Sequence, residues 1–111
     1  MRVLVTGGAG YVGEKVCAEL AREHEVVIFD LQEPAGGSGR YLHGSIMSPA
    51  DLSWAMQGCE AVAHLAAIPH PGTESPDRIM EINVLGTHRV LEAAANAGVS
   101  RLVMASSDSA Y

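Results

Sequence analysis

The sequence predicts a doubly wound α/β fold, in which helices cover both faces of a parallel sheet. Short apolar, β-branched runs alternate with segments of helical periodicity along the 111 residues, a pattern typical of βαβ units. A glycine-rich turn follows the first apolar run, and an acidic residue closes the second. Because crossovers between parallel strands are right-handed, five strands are most simply ordered 3-2-1-4-5. Ligands of such a sheet bind at the carboxyl ends of strands 1 and 4, where the winding reverses.

Five apolar runs are predicted to be strands because each is short and bounded by turn-forming residues. They comprise residues 2–5, 25–29 (closed by Asp30), 40–43, 61–65 and 101–105. The first of three predicted helices has Val12, Val16 and Leu20 at every fourth position, and Ser-Pro pairs begin the other two. The helices comprise residues 11–24, 49–57 and 76–97, with Gly58 and Gly98 ending the second and third. We expect residues 1–111 to form one domain.

The glycine-rich turn predicts a dinucleotide-binding site. Gly7 permits a tight turn, Gly10 lets the backbone approach a pyrophosphate, and Gly13 lets the helix pack closely. The N–H groups and the dipole of the helix N-terminus favour an anion there. A glycine pattern alone also fits a plain βα turn, but here it follows a predicted strand and opens a predicted helix.

Asp30 predicts which dinucleotide binds. At the end of strand 2 its carboxylate can accept hydrogen bonds from both hydroxyls of an adenosine ribose, and its charge repels a 2′-phosphate. None of residues 31–39 is Arg or Lys, so NAD is favoured over NADP. The alternative is a solvated Asp at a strand end.

Composition and hydropathy favour an ordinary globular protein over several other classes. The formal net charge of −6 argues against nucleic acid or an acidic membrane as partner. No apolar run approaches the roughly 18 residues of a membrane span, and residues 3–5 are too short for a signal peptide. Cys17 and Cys59 are expected to be reduced thiols in a cytoplasmic protein. The five histidines show no metal-ligand pairing, so we expect no metal site.

Four motifs together resemble the extended short-chain dehydrogenase/reductase superfamily, in particular its NAD-dependent epimerase/dehydratase family. The first is Thr-Gly-x-x-Gly-x-x-Gly at residues 6–13. The others are His-Leu-Ala-Ala at 64–67, Asn-Val-Leu-Gly-Thr at 83–87 and Ser-Ser at 106–107. The resemblance covers essentially the whole chain but does not fix the substrate.

The resemblance implies a set of cofactor contacts. The turn residues would lie along the pyrophosphate, Asp30 on the adenosine ribose and Asn83 near the nicotinamide. An Asn that ties neighbouring backbone together is the alternative for Asn83. Ser45 stands where the family has an acid that contacts the adenine amino group, so that contact is altered. His64 is expected to have a structural role. The implied cofactor-binding residues are Gly7, Gly10, Tyr11, Val12, Gly13, Asp30, Ser45, Ile46, Leu65, Ala66, Ala67, Asn83 and Ser106.

Ser107 matches the family's catalytic Ser or Thr, which hydrogen-bonds the reacting oxygen; a turn-forming serine is the alternative. The family's acid/base is the Tyr of a Tyr-x-x-x-Lys pair, in which Lys lowers the pKa of the phenol. Tyr111 follows Ser107 too closely to be that Tyr, and Lys15 is the only lysine. We therefore expect an N-terminal, NAD-binding part without the substrate-binding portion, inactive on its own. His70 could touch substrate, although a solvated loop position is favoured.

Two functions fit these observations. In the first, the parent protein is an NAD-dependent epimerase, dehydratase or dehydrogenase that acts on a sugar or nucleotide-sugar by hydride transfer. In the second, the chain is a non-catalytic dinucleotide-binding module. We also expect a homo-oligomer (a dimer), and the apolar edge at residues 102–104 invites pairing with another chain.

Overall fold

The computed structural model describes residues 1–66 and 75–105, which form a five-stranded parallel sheet flanked by helices. The strand order is β3-β2-β1-β4-β5, which confirms the predicted doubly wound topology. The strands are β1 Arg2–Thr6, β2 Glu25–Asp30, β3 Arg40–His43, β4 Ala61–His64 and β5 Arg101–Met104. The helices are α1 Tyr11–Leu20, α2 Pro49–Ala55, α3 Pro76–Met80 and α4 Gly86–Ala97, with a π-helical segment, Glu81–Leu85, between α3 and α4.

Two hydrophobic cores lie on opposite faces of the sheet. Successive side chains of a strand point to opposite faces, so Leu4 packs under α2 and α4 whereas Val3 and Val5 pack under α1. Both faces of β1 and β2 are therefore buried, as their continuous apolar runs predict. By contrast, the edge strand β5 has an exposed side chain in Val103, which is 68% exposed.

The first helix is shorter than its periodicity predicts. It ends at Leu20 rather than near His24, and the N–H of His24 donates to the Leu20 carbonyl at 2.9 Å. The N–H of Glu25 then donates to Met1 O at 2.9 Å, and Glu25 pairs with Arg2 in the sheet. The start of β2 thus fixes where the helix must stop.

The third predicted helix is interrupted by the π-helical segment. A π turn holds an extra residue and so rotates α4 relative to α3. Gly86 then lies against Ile46, where a Cβ on residue 86 would come within 2.5 Å of the Ile46 Cδ1 atom. Helical periodicity alone does not reveal one inserted residue. No described helix is long and apolar enough to cross a membrane.

Candidate functional site

The glycine turn between β1 and α1 is held at the carboxyl edge of the sheet by backbone contacts. Gly7 has a φ of +73°, which favours glycine. A Cβ on Gly7 would also lie 2.8 Å from the backbone nitrogen of Ala66. Its N–H donates to Phe29 O at 3.0 Å, and its carbonyl accepts from the Gly10 N–H at 3.2 Å. The predicted tight turn at Gly7 is therefore required by both conformation and space.

Gly13 and Gly8 are required by packing. A Cβ on Gly13 would overlap the carbonyl oxygen of Gly7 and lie 2.8 Å from the Gly8 Cα. Gly13 therefore packs α1 against the turn itself. Gly8 was not singled out from the sequence, yet a Cβ there would lie 2.8 Å from Ile28 Cγ2 and 3.2 Å from Cys17 Sγ. The Gly-Gly pair is the only sequence signal for this role.

Gly10 differs from these glycines because protein packing does not require it. The nearest atom to a Cβ on Gly10 is the Gly7 carbonyl oxygen at 3.5 Å, an ordinary contact. Gly10 is exposed and has a φ of −75°, which any residue can adopt. It is the N-cap of α1 and provides no side-chain cap for the first turn, where Tyr11 and Val12 are exposed. This open, positive helix end fits a close-approaching anion such as a pyrophosphate.

Asp30 is tied to the glycine turn. Its Oδ2 accepts from the Ala9 N–H and its Oδ1 from the Gln32 N–H, both at 3.0 Å. A carboxylate has about four acceptor positions, so each oxygen keeps one for a further hydrogen bond. The side chain is half-buried and held in place, which leaves it able to accept from the two hydroxyls of a ribose.

The predicted adenine-side residues are organised around Asp51. Its Oδ2 accepts from the Ser45 N–H at 3.1 Å, while the Ser45 hydroxyl accepts from the Met47 N–H at 3.1 Å. The Ser45 hydroxyl proton is left to donate elsewhere. Ile46 is buried in the core under α2 and α4, so a cofactor contact at Ile46 would come from its backbone.

His64 links β1, β4 and α4. Its Nδ1 lies 2.6 Å from Thr6 Oγ1, and its Nε2 lies 3.1 Å from Thr87 Oγ1. The Thr6 oxygen already accepts from the N–H groups of Leu65 and Ala66, at 3.1 and 3.3 Å, so its own proton is donated to Nδ1. The ring is therefore the neutral Nε2–H tautomer. Burial lowers the pKa of His64, and the histidine acts structurally, as predicted.

The Thr6 hydroxyl is a functional group that sequence reasoning missed. It sits at the end of a buried strand, where a polar side chain must find partners, and it orders the backbone of Leu65 and Ala66 beside the glycine turn. Asn83 is half-buried in the π-helical segment. Ala67, His70, Ser106, Ser107 and Tyr111 lie outside the described residues. Within residues 1–66 and 75–105, no cluster of His, Cys, Asp or Glu could hold a metal ion.

Comparison with known proteins shows the family. The profile of the NAD dependent epimerase/dehydratase family matches residues 3–111. The chain belongs to this family. The family's description names NAD, in agreement with the cofactor predicted from the glycine turn and Asp30.

Individual relatives differ in activity. The chain is 34% identical to the human sterol-4-alpha-carboxylate 3-dehydrogenase (decarboxylating), with 97% of the chain and 29% of that protein covered. It is 32% identical to a UDP-glucose 4-epimerase of Klebsiella pneumoniae, covering all of the chain and 92% of that sequence. The structure of MoeE5 in complex with UDP-glucose and NAD aligns with a TM-score of 0.88 and 38% identity, over 100% of the chain and 38% of MoeE5. The chain thus spans about a third of the length of the human enzyme and of MoeE5.

Proposed function

We propose that residues 1–111 bind NAD at the carboxyl edge of the sheet. The observation that carries this proposal is the pairing of an open glycine turn with Asp30, whose carboxylate is fixed on the Ala9 N–H while keeping acceptor positions for a ribose. Gly7, Gly10, Tyr11 and Val12 would hold the pyrophosphate. The other predicted contacts would come from Gly13, Ser45, Ile46, Leu65, Ala66, Ala67, Asn83 and Ser106.

We further propose that the protein is an oxidoreductase or epimerase acting on a sugar or nucleotide-sugar. Bound NAD would supply a hydride acceptor and donor, and Ser107 would orient the reacting oxygen of the substrate. The UDP-glucose 4-epimerase relative and the UDP-glucose bound to MoeE5 support this substrate class. The sterol dehydrogenase relative makes a sterol the competing substrate class.

The test is a calorimetric titration of the intact protein with NAD and NADP, followed by an absorbance assay for reduced nicotinamide. We expect NAD to bind more tightly than NADP, and a sugar or nucleotide-sugar to reduce it or to be epimerised in its presence. Binding without turnover on sugars, nucleotide-sugars and sterols would instead indicate the non-catalytic dinucleotide-binding module. Failure to bind NAD would refute the proposal.

We also propose that the protein is a homodimer and resides in the cytoplasm. Apolar side chains are exposed along the helical stretch from α3 to α4, namely Met80, Val84, Leu85 and Leu91, and such a stripe favours a second copy as partner. The substitution Leu91→Glu should convert the dimer to a monomer in light scattering, whereas Ala18→Glu on α1 should not. A wild-type monomer would refute the dimer. The buried free thiols of Cys17 and Cys59 support a reducing compartment.

A further inference from the structure

A tyrosine–histidine pair stands beside Asp30 on the edge strand β3. The Tyr41 hydroxyl oxygen lies 3.2 Å from the backbone carbonyl oxygen of Asp30 and 3.1 Å from Nδ1 of His43. The two rings meet edge to face, with centroids 6.4 Å apart. The Asp30 carbonyl also accepts from the Gly44 N–H at 3.2 Å. This pair has no part in the contacts described above.

Both contacts of the Tyr41 hydroxyl are hydrogen bonds in only one tautomer of His43. A phenol has one proton, and a carbonyl oxygen can only accept, so the Tyr41 proton is donated to Asp30 O. The contact between the Tyr41 oxygen and His43 Nδ1 then requires the proton to sit on Nδ1. Neutral His43 is therefore the Nδ1–H tautomer, and its Nε2 carries a lone pair that can accept a hydrogen bond. The described residues supply a partner for Nδ1 only, and His43 is exposed.

The sheet register places His43 beside Asp30. His43 is the β3 partner of Asp30, as Tyr41 is the partner of Ile28. Adjacent strands lie about 4.8 Å apart and paired residues share a face, so both side chains stand at the same carboxyl edge. His43 and Asp30 are thus neighbouring acceptors, one neutral and one anionic.

No lysine or arginine offsets this acceptor pair among the neighbouring described residues. Residues 31–39 contain neither, and Arg40 lies at the opposite end of β3. The Lys15 ammonium lies 4.6 Å from the centre of the Tyr11 ring on α1. A ligand group beside Asp30 and His43 therefore meets hydrogen-bond acceptors and negative charge.

We propose that His43 is a specificity-determining residue, whose Nε2 accepts the one proton of the adenosine 2′-hydroxyl, while the Asp30 carboxylate accepts that of the 3′-hydroxyl, and so helps select NAD over NADP. The inference rests on the proposed NAD site at Asp30. A ribose hydroxyl can donate to Nε2, whereas the oxygens of a 2′-phosphate dianion only accept and meet the lone pair as well as the carboxylate. Tyr41 is the positioning residue that holds the ring.

The experiment is a thermodynamic cycle that combines a substitution of His43 with removal of one hydroxyl from the ligand. Dissociation constants are measured at pH 8 on the intact protein, wild type and His43→Ala, for NAD and for the NAD analogue lacking the adenosine 2′-hydroxyl. Removing the hydroxyl should weaken binding about two- to tenfold more in wild type than in His43→Ala, the fold-change of one hydrogen bond. His43→Phe keeps a ring without the nitrogen and should lose as little affinity on removal of the hydroxyl as His43→Ala. The control His88→Ala on α4 should lose as much as wild type.

A second measurement tests discrimination. His43→Arg replaces the acceptor by a cationic donor and should narrow the preference for NAD over NADP about three- to tenfold, because one charge is added close to the 2′ position. Tyr41→Phe should narrow the same ratio while leaving thermal stability nearly unchanged. Suppose that all His43 variants bind NAD normally, lose as much affinity as wild type when the 2′-hydroxyl is removed, and keep the wild-type ratio of NAD to NADP affinity. That result would overturn this inference alone. No NAD binding by wild type would overturn the proposed function with it.

Discussion

Two glycines of the Thr-Gly-x-x-Gly-x-x-Gly motif offer a matched pair of alanine substitutions, one expected to lower stability and the other to lower NAD affinity. In Gly13→Ala the added methyl would overlap the Gly7 carbonyl oxygen and crowd Gly8 Cα. Both neighbours are backbone, so the helix must move away from the turn. Overpacking of this kind costs about 1–3 kcal/mol. In Gly10→Ala the methyl meets only the Gly7 oxygen, at 3.5 Å, and the N-cap φ of −75° suits alanine.

The free energy of unfolding and the affinity for NAD separate the two effects. Denaturant unfolding should show Gly13→Ala less stable by about 1–3 kcal/mol, and Gly10→Ala within about 0.5 kcal/mol of wild type. Calorimetry should show Gly10→Ala binding NAD at least about tenfold more weakly, a loss of about 1.4 kcal/mol, because its methyl occupies the space left for the pyrophosphate. Wild-type affinity in Gly10→Ala would refute our reading of that glycine, and wild-type stability in Gly13→Ala would refute the packing argument.

Three further predictions follow from side chains of the site and the core. Because burial lowers the pKa of His64 below its usual 6.5, the unfolded chain binds the proton first as pH falls, and the free energy of unfolding should decrease below about pH 6.5. His64→Asn should remove that part of the pH dependence. A variant whose unfolding free energy varies with pH as in wild type would contradict this prediction. Asp30→Asn has one acceptor oxygen for two N–H donors, so it should lose about 1 kcal/mol of stability. Calorimetry should also show that it loses most of the preference for NAD over NADP. The control Asp77→Asn should change neither stability nor preference. Burial raises the pKa of the Cys17 thiol to about 11, so the native protein should resist alkylation at pH 8 as judged by mass spectrometry; rapid labelling of Cys17 without unfolding would contradict this.

Local rules sufficed for the strand order and for the turn. Strands β1 and β2 are continuous apolar runs because both faces are buried, and a short continuous apolar run bounded by turn residues predicts a buried strand from sequence. Gly7 was predictable because a positive φ demands a glycine at the tight turn. The position of Asp30 at the carboxyl end of β2 was predictable because it follows from where an apolar run ends.

What could not be predicted depends on contacts between segments distant in sequence. Gly8 must be small because Ile28 and Cys17 are packed above it, and no local pattern names those neighbours. The π-helical turn allows Gly86 to reach Ile46, some 40 residues earlier in the chain. The tautomers of His43 and His64 depend on hydroxyl protons whose direction is set by the Asp30 carbonyl and by the N–H groups of Leu65 and Ala66, which follow β4.

Two strand-end side chains make the same physical contribution to the site. Thr6 ends β1 and binds the N–H groups that follow β4, and Asp30 ends β2 and binds an N–H of the turn that follows β1. Each side chain therefore holds a loop against the end of a neighbouring strand by hydrogen bonds from the backbone N–H groups of that loop. Loops held in this way have already lost much of the conformational entropy that ordering them would cost. A dinucleotide entering this edge would thus meet preformed donors and acceptors, and binding would spend little free energy on arranging them.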